Sequence, residues 1–233
     1  MRQFLCIFIS DIFLGASLTE QDIKFEHYNN DSGLSHNAVR HIVQDKHGFL
    51  WLGTFAGLNR FDGYEFKSYL SSNDTTNLHN DDITALVLDE DLNNLWIGTR
   101  DGLSLYNTDT HTFNTYLPDT NDKQSLPEGE IRSVFVDKFN RVWVGTKNSG
   151  LYILNVETSN FKKVEIENFN YIKAIVEDKN GDIWIGSYES GGVAKLILGA
   201  EGDISQKIIY TLSIPNSTEK NPYLNFIYED AKS

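Results

Sequence analysis

Cysteine is almost absent: the 233 residues hold one, Cys6, inside the first nineteen. If that stretch is removed on export, the mature chain has no thiol, which excludes a disulfide framework and thiolate chemistry. After Leu14 no apolar run is long enough to cross a bilayer. No Lys/Arg cluster offsets the formal net charge of −13, so a phosphate backbone is repelled and nucleic acid is excluded as a partner of this chain. The histidines, His27, His36, His41, His47, His79 and His111, show no ligand pair at helical or strand spacing, and no metal is implied. Asp89-x-Asp91-x-Asn93 starts like a calcium loop, but Asn94 stands where glycine is needed and Arg100 at the last ligand position. A Gly-x-Ser-x-Gly elbow is missing, as is any carboxylate pair outside the repeats described below. Nucleophilic and glycosidase chemistry therefore has no anchor, and no cofactor is called for. No segment sustains a helical period.

What is present is a repeat. Trp51-Leu52-Gly53-Thr54 returns as Trp96-Ile97-Gly98-Thr99, Trp143-Val144-Gly145-Thr146 and Trp184-Ile185-Gly186-Ser187, at intervals of 45, 47 and 41 residues. Propeller blades repeat every ~40 to 50 residues, as do paired-helix solenoids, so the content of each unit decides. Each unit opens with an apolar run ending in Asp (Val39 to Asp45, Ile83 to Asp89, Ile131 to Asp137, Ile172 to Asp178). A tight polar turn, the Trp strand, a Gly-led strand and a fourth strand follow, which is the content of a blade. The expected fold is all-β, a β-propeller of four-stranded antiparallel blades over residues 20–233, incomplete in this chain. Four blades are followed by the start of a fifth at Leu224 to Asp230. The aromatic pair of the fourth strands, Phe66 and Tyr69 or Phe113 and Tyr116, recurs at Phe25 and Tyr28, which reads as an N-terminal closing strand. The alternative is a four-bladed ring with a tail. Residues 1–19 have the form of a signal peptide, with Arg2, an apolar stretch to Leu14 and small residues at Gly15-Ala16-Ser17; the alternative is a buried segment or uncleaved anchor.

The Trp column is read as packing between blades, the Gly-Thr after it as a backbone demand at a bend, and the Asp column as hydrogen bonding to the hairpin backbone. Leu34, Leu78 and Leu126, each five residues ahead of a first strand, are read as pegs holding long loops to the blades. One set rises above scaffold. At the head of the first strand, beside the expected channel, the repeats place Arg40, Thr84, Arg132, Lys173 and Asn225, with His36, Asn37, Asn80, Glu128 and Asn170 nearby. This polar, partly basic ring in an acidic protein suits sugar hydroxyls or carboxylates; the alternative is solvated channel lining.

Units of the form Asp-x-x-Gly-x-Leu/Ile-Trp-x-Gly-Thr-x-x-Gly-Leu, opened by Gly33-Leu34-Ser35-His36-Asn37-Ala38-Val39-Arg40 and continued by Gly57-Leu58-Asn59-Arg60-Phe61-Asp62-Gly63, resemble two-component regulator propeller repeats. The resemblance runs from about Phe25 to Asp230. It implies the periplasmic sensor region of a hybrid two-component system of Bacteroidetes, a homodimer that senses oligosaccharides and controls glycan-utilisation genes. The whole receptor would add a second propeller, a β-sandwich, a membrane helix, a histidine kinase, a receiver and a DNA-binding domain. This chain carries no kinase or receiver motif, so it is expected to be non-enzymatic and to meet the membrane only through other segments. Two rival readings are a secreted lyase similar to streptogramin lyases, for which His41 is the candidate residue, and a protein-interaction scaffold.

Overall fold

The computed structural model describes residues 25–72, 77–89, 93–188, 192–211 and 227. Their strands form four antiparallel sheets of four, each a simple meander. Blade 1 holds β1 (Val39–Gln44), β2 (Leu50–Thr54), β3 (Gly57–Phe61) and β4 (Phe66–Tyr69). Blade 2 holds β5 (Ile83–Asp89), β6 (Asn94–Thr99), β7 (Gly102–Asn107) and β8 (Thr112–Tyr116). Blade 3 holds β9 (Ile131–Val136), β10 (Val142–Thr146), β11 (Leu151–Asn155) and β12 (Asn160–Val164). Blade 4 holds β13 (Ile172–Glu177), β14 (Ile183–Ser187), β15 (Gly192–Leu198) and β16 (Ile204–Thr211). First strands of successive blades are neighbours, and each also packs on the second strand of the blade before it. This is the propeller arrangement, with the first strands innermost.

The turn between first and second strands needs one left-handed residue three positions before the Trp. Gly48, Asn93, Asn140 and Gly181 supply it, with φ of 88°, 53°, 57° and 84°. The core is divided among the blade interfaces, and each holds one tryptophan. Trp51 packs with Ile83 and Ile97 of blade 2, Trp96 with Ile131 and Val144 of blade 3, Trp143 with Ile172 and Ile185 of blade 4. All three indoles are at most 1% exposed. The pegs are buried as expected, Leu34 at 5%, Leu78 at 0% and Leu126 at 1%, and the last two pair back onto Ser71 and Pro118 through single parallel bridges.

The glycine after each Trp has a different cause from the bend anticipated for it. It lies inside the second strand, and a Cβ on Gly53 would stand 2.7 Å from Cγ2 of Ile83; on Gly98 it would stand 2.7 Å from Cγ2 of Ile131. The next blade's first strand approaches through that gap. Phe25 and Tyr28 form no strand among the described residues, because a strand needs a hydrogen-bonded neighbour and this segment finds none; Tyr28 packs edge-on against Phe61 and Phe66, 4.9 and 5.7 Å between centroids. The anticipated signal peptide and, apart from Ile227, the start of a fifth blade lie outside the described residues.

Candidate functional site: a polar ring at the strand heads

Pairing between first and second strands slips by one residue at the same place in every blade. Val39 faces Thr54 and His41 faces Gly53, leaving Arg40 over. Thr84, Arg132 and Lys173 are left over in the same way between Ile83 and Ala85, Ile131 and Ser133, and Ile172 and Ala174. Each is the extra residue of a β-bulge, a device that re-aims one side chain without disturbing the pairing beyond it. The polar ring anticipated from the repeats is thus a ring of bulges. Asn225, its fifth member, lies outside the described residues.

Two further columns gather around the bulges. Immediately before each first strand stand Ala38, Asp82, Glu130 and Tyr171; immediately after each Thr or Ser of the Trp motif stand Phe55, Arg100, Lys147 and Tyr188. Backbone hydrogen bonds tie these columns together: Arg100 N–H donates to Asp82 O (3.1 Å), Lys147 N–H to Glu130 O (2.9 Å) and Tyr188 N–H to Tyr171 O (3.0 Å). The guanidinium of Arg40 pairs with the Asp82 carboxylate and lies 3.8 Å above the Phe55 ring, which is itself 49% exposed. Arg132 pairs with Glu130 and faces the Tyr171 ring at 5.7 Å. Glu130 also meets Arg100 Nε at 3.3 Å and Lys147 Nζ at 3.6 Å.

Lys173 has no carboxylate partner among the described residues. Burial lowers its pKa, and Arg132 and Arg40 lower it further. Arg40 is depressed in turn by burial and by Arg132, partly offset by Glu130. Three cations therefore act on one space. Three polar atoms of the ring, Arg40 Nε, Thr84 Oγ1 and Arg132 Nε, are buried without a hydrogen-bond partner among the described residues. A buried polar group left unsatisfied costs ~1 to 3 kcal/mol, so the ring is held at some expense to stability.

The neighbouring residues named from sequence divide. The His36 ring lies 5.6 Å from Phe55, and its Nδ1 accepts from Ala38 N–H at 3.0 Å, which places it beside Arg40. Asn37 instead accepts from Asn30 N–H at 2.9 Å and shapes the loop. Asn80 caps the backbone at Asp82 (2.9 Å), and Glu128 and Asn170 are exposed. His41, the candidate for lyase chemistry, bonds through Nε2 to Thr84 O at 2.9 Å. Burial pushes its pKa down against that bond, with Lys173 and Arg40 adding to the fall. It is a strut between first strands. Cavities of about 620 and 460 Å³ lie elsewhere, along blade 3 and its border with blade 4 at Arg141, Ile153 and Lys162, and one of about 300 Å³ lies at the opposite end of blades 1 and 2, beside Arg60 and His111.

Phe55, Asp82, Glu130 and Tyr171 were not singled out by sequence reasoning. The signal that marks them is disagreement: Asp82, Glu130 and Tyr171 share one position of the repeat with Ala38, and Phe55 shares another with Arg100, Lys147 and Tyr188, yet the residue types differ from blade to blade while the nearby Trp and Gly persist.

The two-component regulator propeller family matches the chain at residues 33–56, 125–148 and 167–189, segments that run from the loop before the first strand through the Trp motif and include Arg40, Arg132 and Lys173. These are two-component regulator propeller repeats. A curated relative, histidine kinase P4 of Formosa agariphila, is 37% identical over 238 aligned residues, covering 77% of this chain and 17% of its own length. Among solved structures, the extracellular domain of a putative hybrid two-component system from B. thetaiotaomicron superposes with a TM-score of 0.70 at 27% identity, over 82% of this chain and 26% of that one. Virginiamycin B lyase from Staphylococcus aureus shares the fold with a TM-score of 0.58 at 12% identity, over 76% of this chain and 57% of the lyase. The propeller repeats thus sit in a chain that spans about a sixth of the curated relative it matches.

Proposed function

We propose that this propeller is the ligand-sensing part of an exported hybrid two-component regulator, that it binds an oligosaccharide at the ring of bulges without chemically changing it, and that binding controls glycan-utilisation genes through a kinase elsewhere in the receptor. The observation that carries the reading is the repeated bulge that leaves Arg40, Thr84, Arg132 and Lys173 out of strand pairing on the innermost strands, three of them with a buried polar atom that has no hydrogen-bond partner among the described residues. The family match and the likeness to the extracellular domain of a hybrid two-component system support it. Export to the periplasm follows from the signal-like residues 1–19, and a homodimer supplies the switch. A ligand acts on such a switch only by favouring one dimer arrangement over another.

Thermal-shift titration of the full chain against a panel of neutral, uronic and sulfated oligosaccharides tests this. The expected result is a dose-dependent rise in Tm with one class, abolished in Arg132→Ala. A folded protein that responds to none of them favours the scaffold reading and leaves the ring as channel lining. The lyase reading gains nothing from its candidate residue, since His41 is engaged with Thr84 O.

A further inference from the structure

The chain as a whole is strongly acidic, and its ring is not. Five cations, Arg40, Arg100, Arg132, Lys147 and Lys173, meet there against two carboxylates, Asp82 and Glu130. That is an excess of three positive charges in a protein whose formal net charge is −13. Concentrating like charges costs folding free energy, and half-buried Lys173, without a carboxylate of its own among the described residues, is the clearest instance. Neutral sugar hydroxyls need no such arrangement; Asn, Asp and backbone groups bind them. An anion does need it, and a charged group enclosed by low-dielectric walls is attracted more strongly than on an open surface.

We propose that the ring takes an anionic oligosaccharide, with a carboxylate or sulfate group held by Arg40, Arg132 and Lys173 and a sugar face resting on Phe55. The inference rests on the oligosaccharide-sensor reading above and adds the ligand's charge to it. The two arginines keep their orientation through Asp82 and Glu130, with 22% of the Arg40 side chain and 20% of the Arg132 side chain still exposed to a ligand. Phe55, half exposed with Arg40 against one part of its surface, supplies the apolar plate.

The test measures binding calorimetrically on the full chain with five probes: an oligogalacturonate, a sulfated galactan oligosaccharide, a neutral galactan oligosaccharide of equal length, oligoglutamate and sodium sulfate. Acidic saccharides are expected to bind at least tenfold tighter than the neutral one, and to weaken steeply as salt is raised. Lys173→Met separates ligand contact from structure, because it removes a repelled cation: the ligand-free protein should melt at the same temperature or higher, while affinity for the acidic saccharide falls about tenfold. Equal or tighter binding of the neutral saccharide overturns the anionic inference and leaves the sensor reading intact. Oligoglutamate or sulfate binding as tightly as the acidic saccharides makes the ring a general acidic-peptide or anion site and overturns it too. If no saccharide binds, the sensor reading itself fails.

Discussion

The residue that most repays attention is the Asp closing each first strand. In blade 4 the Asp178 carboxylate accepts from Asn180 N–H (2.9 Å), Asp182 N–H (3.0 Å) and the Trp184 indole Nε1–H (2.8 Å), with Lys195 Nζ at 3.0 Å. Asp45 and Asp137 repeat the backbone and indole bonds with Trp51 and Trp143. Burial opposes ionisation of Asp178, but the indole, the backbone donors and Lys195 outweigh it and bring its pKa down to about 2. A depressed carboxylate stabilises the fold above its unfolded pKa and ceases to as pH falls through the folded one. Asp178→Asn is therefore expected to destabilise the protein by ~1.5 to 3 kcal/mol at pH 7, the worth of hydrogen bonds to a charged group, and the gap to the parent should close between pH 4 and 2. Urea unfolding at several pH values measures it. The backbone half of this motif was legible from Asp, Gly and Asn at fixed spacing. The indole half was not, because it depends on the hairpin folding Trp back over the Asp six residues earlier. In blade 2 the interval is seven residues, from Asp89 to Trp96, and Trp96 Nε1 has no hydrogen-bond partner among the described residues.

At the scale of the element, what holds the blades together is the fit of one strand into the next. Gly98 is the closest case: a Cβ there would lie 2.7 Å from Ile131 Cγ2 and 2.9 Å from Ala85 Cβ. Gly98→Ala should cost ~1 to 3 kcal/mol by overpacking. Leucine lacks the offending β-branch, so Ile131→Leu should recover part of that loss in the double variant, a coupling read from a thermal or urea double-mutant cycle. Strand existence and order followed directly from the repeat. The bulges did not, because in sequence a bulge is only a lapse in alternation, and Val39-Arg40-His41 or Ile172-Lys173-Ala174 reads equally well as unbroken strand. The glycine's role was hidden for a related reason: its partner, Ile83 or Ile131, lies some thirty residues ahead and in another blade.

Over the whole molecule, cohesion is a series of nearest-neighbour interfaces, each with its own tryptophan and no core common to all blades. Trp51, Trp96 and Trp143 are enclosed between consecutive blades, whereas Trp184, stacked on Tyr210 at 5.7 Å, is only partly covered. Iodide should therefore quench a single accessible class of tryptophan fluorescence, and Trp184→Phe should remove it while leaving the protected emission. Quenching that survives in Trp184→Phe would mean that the blade interfaces open in solution. Architecture was readable at this scale because it is written four times. The candidate ring was half readable: its place on the first strands and the basic Arg40, Arg132 and Lys173 are repeated along the chain, but the convergence of Arg100 and Lys147 on Glu130 from separate turns is not written in any one repeat.

The bulges also separate what the scaffold requires from what the proposed site presents. A residue left out of strand pairing has no cross-strand partner to match, so positions 40, 132 and 173 are free to change while Val39, Ile131 and Ile172 hold the register. Propellers built this way can diverge in specificity by exchanging one side chain per blade, with the folding of the blades left as it was.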